Sequence, residues 1–168
     1  MSSQTLTDLE QAVGTNPANA DLRYLLAAQY AEEGLYEPAA KEFEQAIALN
    51  PDAHTARLQL GLLHLTNGNV QQALSSWGPL EALPDGLAAK LFKRGLEAMI
   101  RDDFTASARL LNEGIACNLT NPALNEDMRR VLSRFPKKPA SAPAAAAPDT
   151  DKVRTDFSLY GAPGTTRH

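Results

Sequence analysis

Apolar residues along this chain recur at three- and four-residue intervals, and short polar stretches with Gly or Asn-Pro interrupt them at a regular distance. Leu22, Leu26 and Tyr30 fall on one helical face, Gly34 breaks the pattern, and Ala39, Phe43, Ala46 and Ile47 resume it up to Asn50-Pro51. The spacing predicts two helices folded back on each other. Pro38 fits this reading, because the first turn of a helix has no intrahelical partner for the missing N–H. The plan then repeats. Asn16-Pro17 and Asn50-Pro51 are 34 residues apart, Pro84 follows 33 later, and Asn121-Pro122 closes a third interval. Leu60, Gly61, Gly68, Ala73 and Trp77 mark the second unit; Leu91, Gly95, Phe104, Ala108 and Leu111 mark the third. Ala27, Gly61 and Gly95, each 34 from the last, are small enough for paired helices to approach closely.

The flanks extend the pattern. Leu6, Leu9 and Val13 share one face of a lone N-terminal helix, and Leu124, Met128 and Val131 share one face of a last helix, with Asp127, Arg130 and Arg134 elsewhere. Repeat arrays need such end pieces because each unit buries its apolar face only against neighbours. From Pro136 the chain turns rich in Pro and Ala, with Ala144 to Ala147 set between Pro143 and Pro148, and no apolar period remains. It reads as a disordered tail with one apolar island, Phe157, Leu159 and Tyr160, as a candidate tethered motif. The expected organisation is an N-terminal cap (1–19), three hairpin units (20–53, 54–86 and a degenerate 87–121), a C-terminal cap (122–135) and the tail (136–168).

Composition supports helices, since the chain is 43% hydrophobic but only 6% aromatic and is dominated by Leu and Ala. The net charge is −4, and the tail is basic, leaving −6 on residues 1–135. An acidic body argues against nucleic acid as a partner. Cys117, the single cysteine, lies in an apolar helical stretch and is expected to be a small core residue. No secretory leader or membrane-length apolar run is apparent, so no membrane insertion and a cytoplasmic setting are expected.

The residues at fixed positions resemble the tetratricopeptide repeat. The first unit carries Leu26-Ala27, Tyr30, Ala39, Phe43 and Pro51, with Arg23 where the family often has Trp. The second carries Leu60-Gly61, His64, Ala73, Trp77 and Pro84, one residue short at its end. The third keeps Gly95, Phe104 and Leu111 but has Arg94 and Ser107 at apolar or small family positions. The resemblance covers about residues 3–134 and implies an all-α, right-handed superhelical array of three hairpins with capping helices.

In that family the first helix of each pair lines a concave face that binds ligands. The equivalent positions here are Tyr24, Ala28 and Ala31 in the first unit, Leu58, Leu62 and Leu65 in the second, and Phe92, Leu96 and Met99 in the third, each set at i, i+4 and i+7. Left open, this face would be an apolar patch larger than monomers usually expose. The expected ligand is therefore an apolar helical or extended segment of a partner protein. Self-occlusion by neighbouring helices, by the caps or by the tail island is the competing reading. Adaptors that clamp a terminal carboxylate resemble one another in carrying Lys, Asn and Arg at these positions, and this chain does not.

Chemistry has little to stand on. His54, His64 and His168 show no metal spacing, and no phosphate loop, dinucleotide fingerprint or nucleophile motif occurs. No cofactor and no enzymatic activity are expected. Acid pairs Glu32-Glu33 and Asp102-Asp103 read as solvated corners. Two basic groups, one of Lys90, Lys93, Arg94 and Arg101 and one of Arg129, Arg130, Arg134, Lys137 and Lys138, read as solvated faces or as docking points for an acidic partner. The expected function is a protein-binding adaptor or chaperone, similar in size and groove to the cytoplasmic chaperones of bacterial secretion systems. The alternative is a scaffold subunit held in a larger complex, and homodimerisation through exposed apolar faces stays open.

Overall fold

The computed structural model describes residues 2–136 and is all-helical over them. The remainder of the expected tail, with Phe157, Leu159 and Tyr160, lies outside the described residues. The helices are α1 (Ser2–Thr15), α2 (Ala20–Glu32), α3 (Tyr36–Leu49), α4 (His54–Thr66), α5 (Val70–Trp77), α6 (Ala88–Ile100), α7 (Phe104–Cys117) and α8 (Pro122–Ser133). A 3-10 helix, Gly78–Ala82, continues α5. Helices α2/α3, α4/α5 and α6/α7 form three hairpins.

Local chemistry sets the helix starts. Asn19 caps α2 by accepting hydrogen bonds from the backbone N–H groups of Asp21 and Leu22, at 3.0 and 3.1 Å. Asp103 caps α7 through the Ala106 N–H, and Asn121 caps α8 through the Leu124 N–H with Pro122 in the first turn. The turns inside the hairpins need a left-handed residue. Gly34 and Gly68 supply it at φ 77°, and the equivalent third position is Asp102 at φ 59°. Gly78-Pro79 shortens the second hairpin: proline cannot donate to the α-helical ladder, so α5 gives way to the tighter 3-10 helix.

Each hairpin closes on one large side chain. Phe43, Trp77 and Leu111, spaced by 34 residues, are fully buried opposite Ala27, Gly61 and Gly95. The fit is closest in the second hairpin, where a Cβ added to Gly61 would lie 2.0 Å from Trp77 Nε1. The Trp77 indole N–H donates to the Leu58 carbonyl at 3.2 Å, so its polar edge is satisfied inside the core. In the third hairpin Ser107 stands at the position of Ala39 and Ala73, and its buried hydroxyl donates to the Gly95 carbonyl at 2.7 Å.

Two apolar clusters result. The first joins α2, α3 and α4 through Ala27, Ala31, Ala39, Phe43, Leu60 and Leu63. The second joins α4, α5, α6, α7 and α8. Helix α1 adds a polar tie to the first hairpin, with the Tyr30 hydroxyl donating to Glu10 at 2.7 Å. Burial and that carboxylate push the Tyr30 phenol up to about 12.

Between the second and third hairpins lies an ion network. Glu81 on the 3-10 helix meets Lys93 at 2.9 Å and Arg94 at 2.7 Å, Lys93 also meets Glu97 at 2.8 Å, and Asp85 meets Lys90 at 2.8 Å. Lys90 and Lys93 are only 7% and 5% exposed. Three members of the first basic group are therefore engaged internally. They hold the short second hairpin against α6, and the burial of Lys90 and Lys93 corrects the reading of these two as a solvated face or docking points.

Candidate partner-binding groove

Helices α2, α4 and α6 contribute the nine candidate groove residues, and the structure does not leave them as an open surface. Ala31, Leu58, Leu62, Leu65, Phe92, Leu96 and Met99 are buried, while Tyr24 and Ala28 are half-buried. The expected open apolar groove is corrected for those seven positions: Ala31 is covered within the first cluster, and the other six share the second cluster with α8. Its Leu124, Met128 and Val131 join Leu58, Leu62, Leu65, Phe92, Leu96 and Met99 in one cluster. Burying three large side chains on such a floor favours the docked helix by roughly 1.5–3 kcal/mol each before ordering costs.

Polar contacts fix the path of α8. At its start, Asn121 meets the side chain of Tyr24 on α2. In its middle, Asp127 accepts a hydrogen bond from the Gln59 side chain on α4. Just past its end, Phe135 packs against Phe104 at the start of α7 in a tilted arrangement, with ring centroids 5.2 Å apart. The C-terminal cap thus reaches back to the first two hairpins, whereas a cap that continued the repeat order would sit on α6 and α7 alone.

Desolvation marks this interface. Burial raises the Tyr24 phenol above its ordinary value, with Asn121 acting in the opposite sense. Burial also raises the Asp127 carboxyl, opposed by the Gln59 hydrogen bond and the charge of Arg130. Phe92 has a second neighbour that sequence reasoning missed: a Cβ on Gly114 would lie 2.5 Å from the Phe92 ring, so Phe92 also packs into its own hairpin against α7. The glycine in an otherwise ordinary helix was the available signal.

Residues 30–82, from the last turn of α2 through the 3-10 helix, match the tetratricopeptide repeat family model. This segment belongs to the tetratricopeptide repeat family. Tetratricopeptide repeats generally act as protein–protein interaction modules. No curated protein matches the chain.

Outside the ground held by α8, part of the repeat protein's concave side remains accessible on α2. Asp21, Tyr24, Leu25, Ala28 and Glu32 fall on one face of that helix, and Leu25 is 48% exposed. Tyr24 and Asp21 continue into an open cleft of about 320 Å³ with Asn50, Asp52, His54 and Asn121. The surroundings are acidic: residues 1–56 contain nine Asp/Glu and two Lys/Arg. Cys117 is exposed at the end of α7 and not in the core as expected, because the chain leaves the hairpin there to start its return. Among the described residues no helix is long and apolar enough to cross a membrane.

Proposed function

We propose that this tetratricopeptide repeat protein is an adaptor that binds a segment of a partner protein along its concave face and makes its first contact on the open face of α2. The observation that carries this reading is that the face already holds a helix, α8, on an apolar floor built from successive repeats. A helical segment therefore has the right shape for this surface. Tyr24, Leu25 and Ala28 give the open strip an apolar centre, and Asp21 and Glu32 at its ends favour a partner with basic residues flanking an apolar core.

Of the two kinds of adaptor, a releasable one of the chaperone type is favoured over a permanently bound scaffold subunit. The chain covers its own groove with α8, so it needs no partner to bury Leu58, Leu62 and Leu96. The test is affinity capture of partners by the full chain and by Leu25→Glu, which alters an exposed residue and leaves the core intact. Loss of a specific partner with unchanged helical circular dichroism is expected. Identical capture by both chains would remove α2 as the contact surface.

A further inference from the structure

Helix α8 differs from α4, α5, α6 and α7 in how it is held. The second and third hairpins interlock through close approaches of a large side chain to a glycine: Trp77 on Gly61 in the second, Leu111 on Gly95 and Phe92 on Gly114 in the third. Helix α8 enters none of them. It lies on the groove with Leu124, Met128 and Val131 inward and with Glu126, Arg129 and Arg130 exposed. Its covalent connection to the array is short. Asn118 donates to the Asn125 side chain at 2.8 Å, Asn125 returns a bond to the Asn118 carbonyl at 2.9 Å, and Leu119 between the helices is 87% exposed.

The polar fit is also imperfect. Asp127 is a carboxylate placed on a largely apolar floor, and its partners are the Gln59 amide and Arg130 of its own helix. Burial outweighs both, as the upward direction of its titration indicates. Replacing α8 by another helix would therefore give up a contact that stabilises the ionised protein little, and would re-cover the same apolar floor.

We propose that α8 is a displaceable occupant of the concave groove, and that the partner segment taking its place is an amphipathic helix with large apolar residues at i, i+4 and i+7 and a hydrogen-bond-accepting side chain at i+3. This inference rests on the concave-face reading above. The first three positions correspond to Leu124, Met128 and Val131, and the fourth to Asp127, where the Gln59 amide donates. A lysine or arginine at i+3 would present a donor to a donor and is selected against. Contact with the open α2 strip comes first, and exchange with α8 follows.

Two measurements on the full chain test this. In native-state hydrogen exchange, the amides of α8 are expected to exchange at least tenfold faster than those of α4 and α6, through an opening that leaves the hairpins protected. Exchange of α8 only in the same event as α6 overturns the proposal. In the second, a labelled peptide spanning Asn121–Phe135 is added to a Gln59→Cys/Asp127→Cys chain in a Cys117→Ser background, before and after bridging the two new thiols with a short bismaleimide. The unbridged chain is expected to bind the peptide at least tenfold more tightly than the bridged one, and the peptide carrying Met128→Glu is expected not to bind. Equal affinity of bridged and unbridged chains overturns the proposal. A bridged chain that still captures a Leu25-dependent partner would leave the adaptor function standing and remove displacement alone.

Discussion

Gln59 on α4 and Asp127 on α8 are 68 residues apart in sequence and share a hydrogen bond across the concave face. That pairing decides which surface of this repeat protein is free. It brings the last helix onto the ground that equivalent positions of three repeats would otherwise expose, and it places a carboxylate where water is largely excluded.

Asp127→Asn should strengthen α8 docking at neutral pH. The Asp127 carboxyl titrates above its usual 3.8 because burial disfavours the charge. Its contribution to stability is therefore fully present only below the unfolded value and is lost as pH rises through the folded one. Asparagine keeps an oxygen for Gln59 and has no charge to desolvate. The expected result is a higher thermal midpoint than wild type at pH 7 and a difference that vanishes near pH 3, measured by circular dichroism melts at both.

Glu81 has the opposite dependence. Hydrogen bonds from Arg94 and Lys93 bring its carboxyl down to about 2 from 4.5, and Asp85 is lowered in the same way by Lys90. The stabilisation is complete above the ordinary carboxylate value and disappears as pH falls towards about 2. Urea midpoints of wild type and Glu81→Gln should differ at pH 7 and converge at the acid end. Because Glu81 is exposed to solvent, added salt should also narrow the gap at pH 7.

Gly61→Ala tests the hairpin closure. A methyl group there would meet the buried Trp77 indole at 2.0 Å from Nε1, and the ring is held by its bond to the Leu58 carbonyl. The expected loss is about 2–3 kcal/mol in denaturant unfolding, at the upper part of the usual range for overpacking. A shift in Trp77 fluorescence should accompany it. An unchanged midpoint would mean that the second hairpin can open without cost.

Asp102→Gly should stabilise the third hairpin. Its φ of 59° is a left-handed conformation that Gly34 and Gly68 adopt freely at the equivalent turns. Removing the side-chain penalty should contribute about 0.5–1 kcal/mol, seen as a raised thermal midpoint. The Asp103 cap on α7 is untouched by this change.

The hairpins were legible because their determinants repeat locally. Gly34 and Gly68, Ala27 and Gly61, Phe43 and Trp77 each announce a turn, a close approach or an inserted side chain from their position in the 34-residue period. The groove positions were legible as a set of equivalent residues, but their burial was not. It depends on where α8 docks, and the amphipathic pattern of Leu124, Met128 and Val131 states only that this helix needs an apolar surface. The third repeat and the groove both offer one. Lys90 and Lys93 were misread for a related reason: their carboxylate partners Glu81 and Asp85 sit beyond a turn whose path was set by Gly78-Pro79.

The return of α8 also changes how the hairpins depend on one another. A linear stack of repeats passes stability only to adjacent units, so it can fray from either end. Here Asn121 meets Tyr24 in the first hairpin, and Phe135 meets Phe104 in the third. One helix thereby spans the array like a clasp, and the three hairpins should melt as a single cooperative body for as long as some helix lies across them.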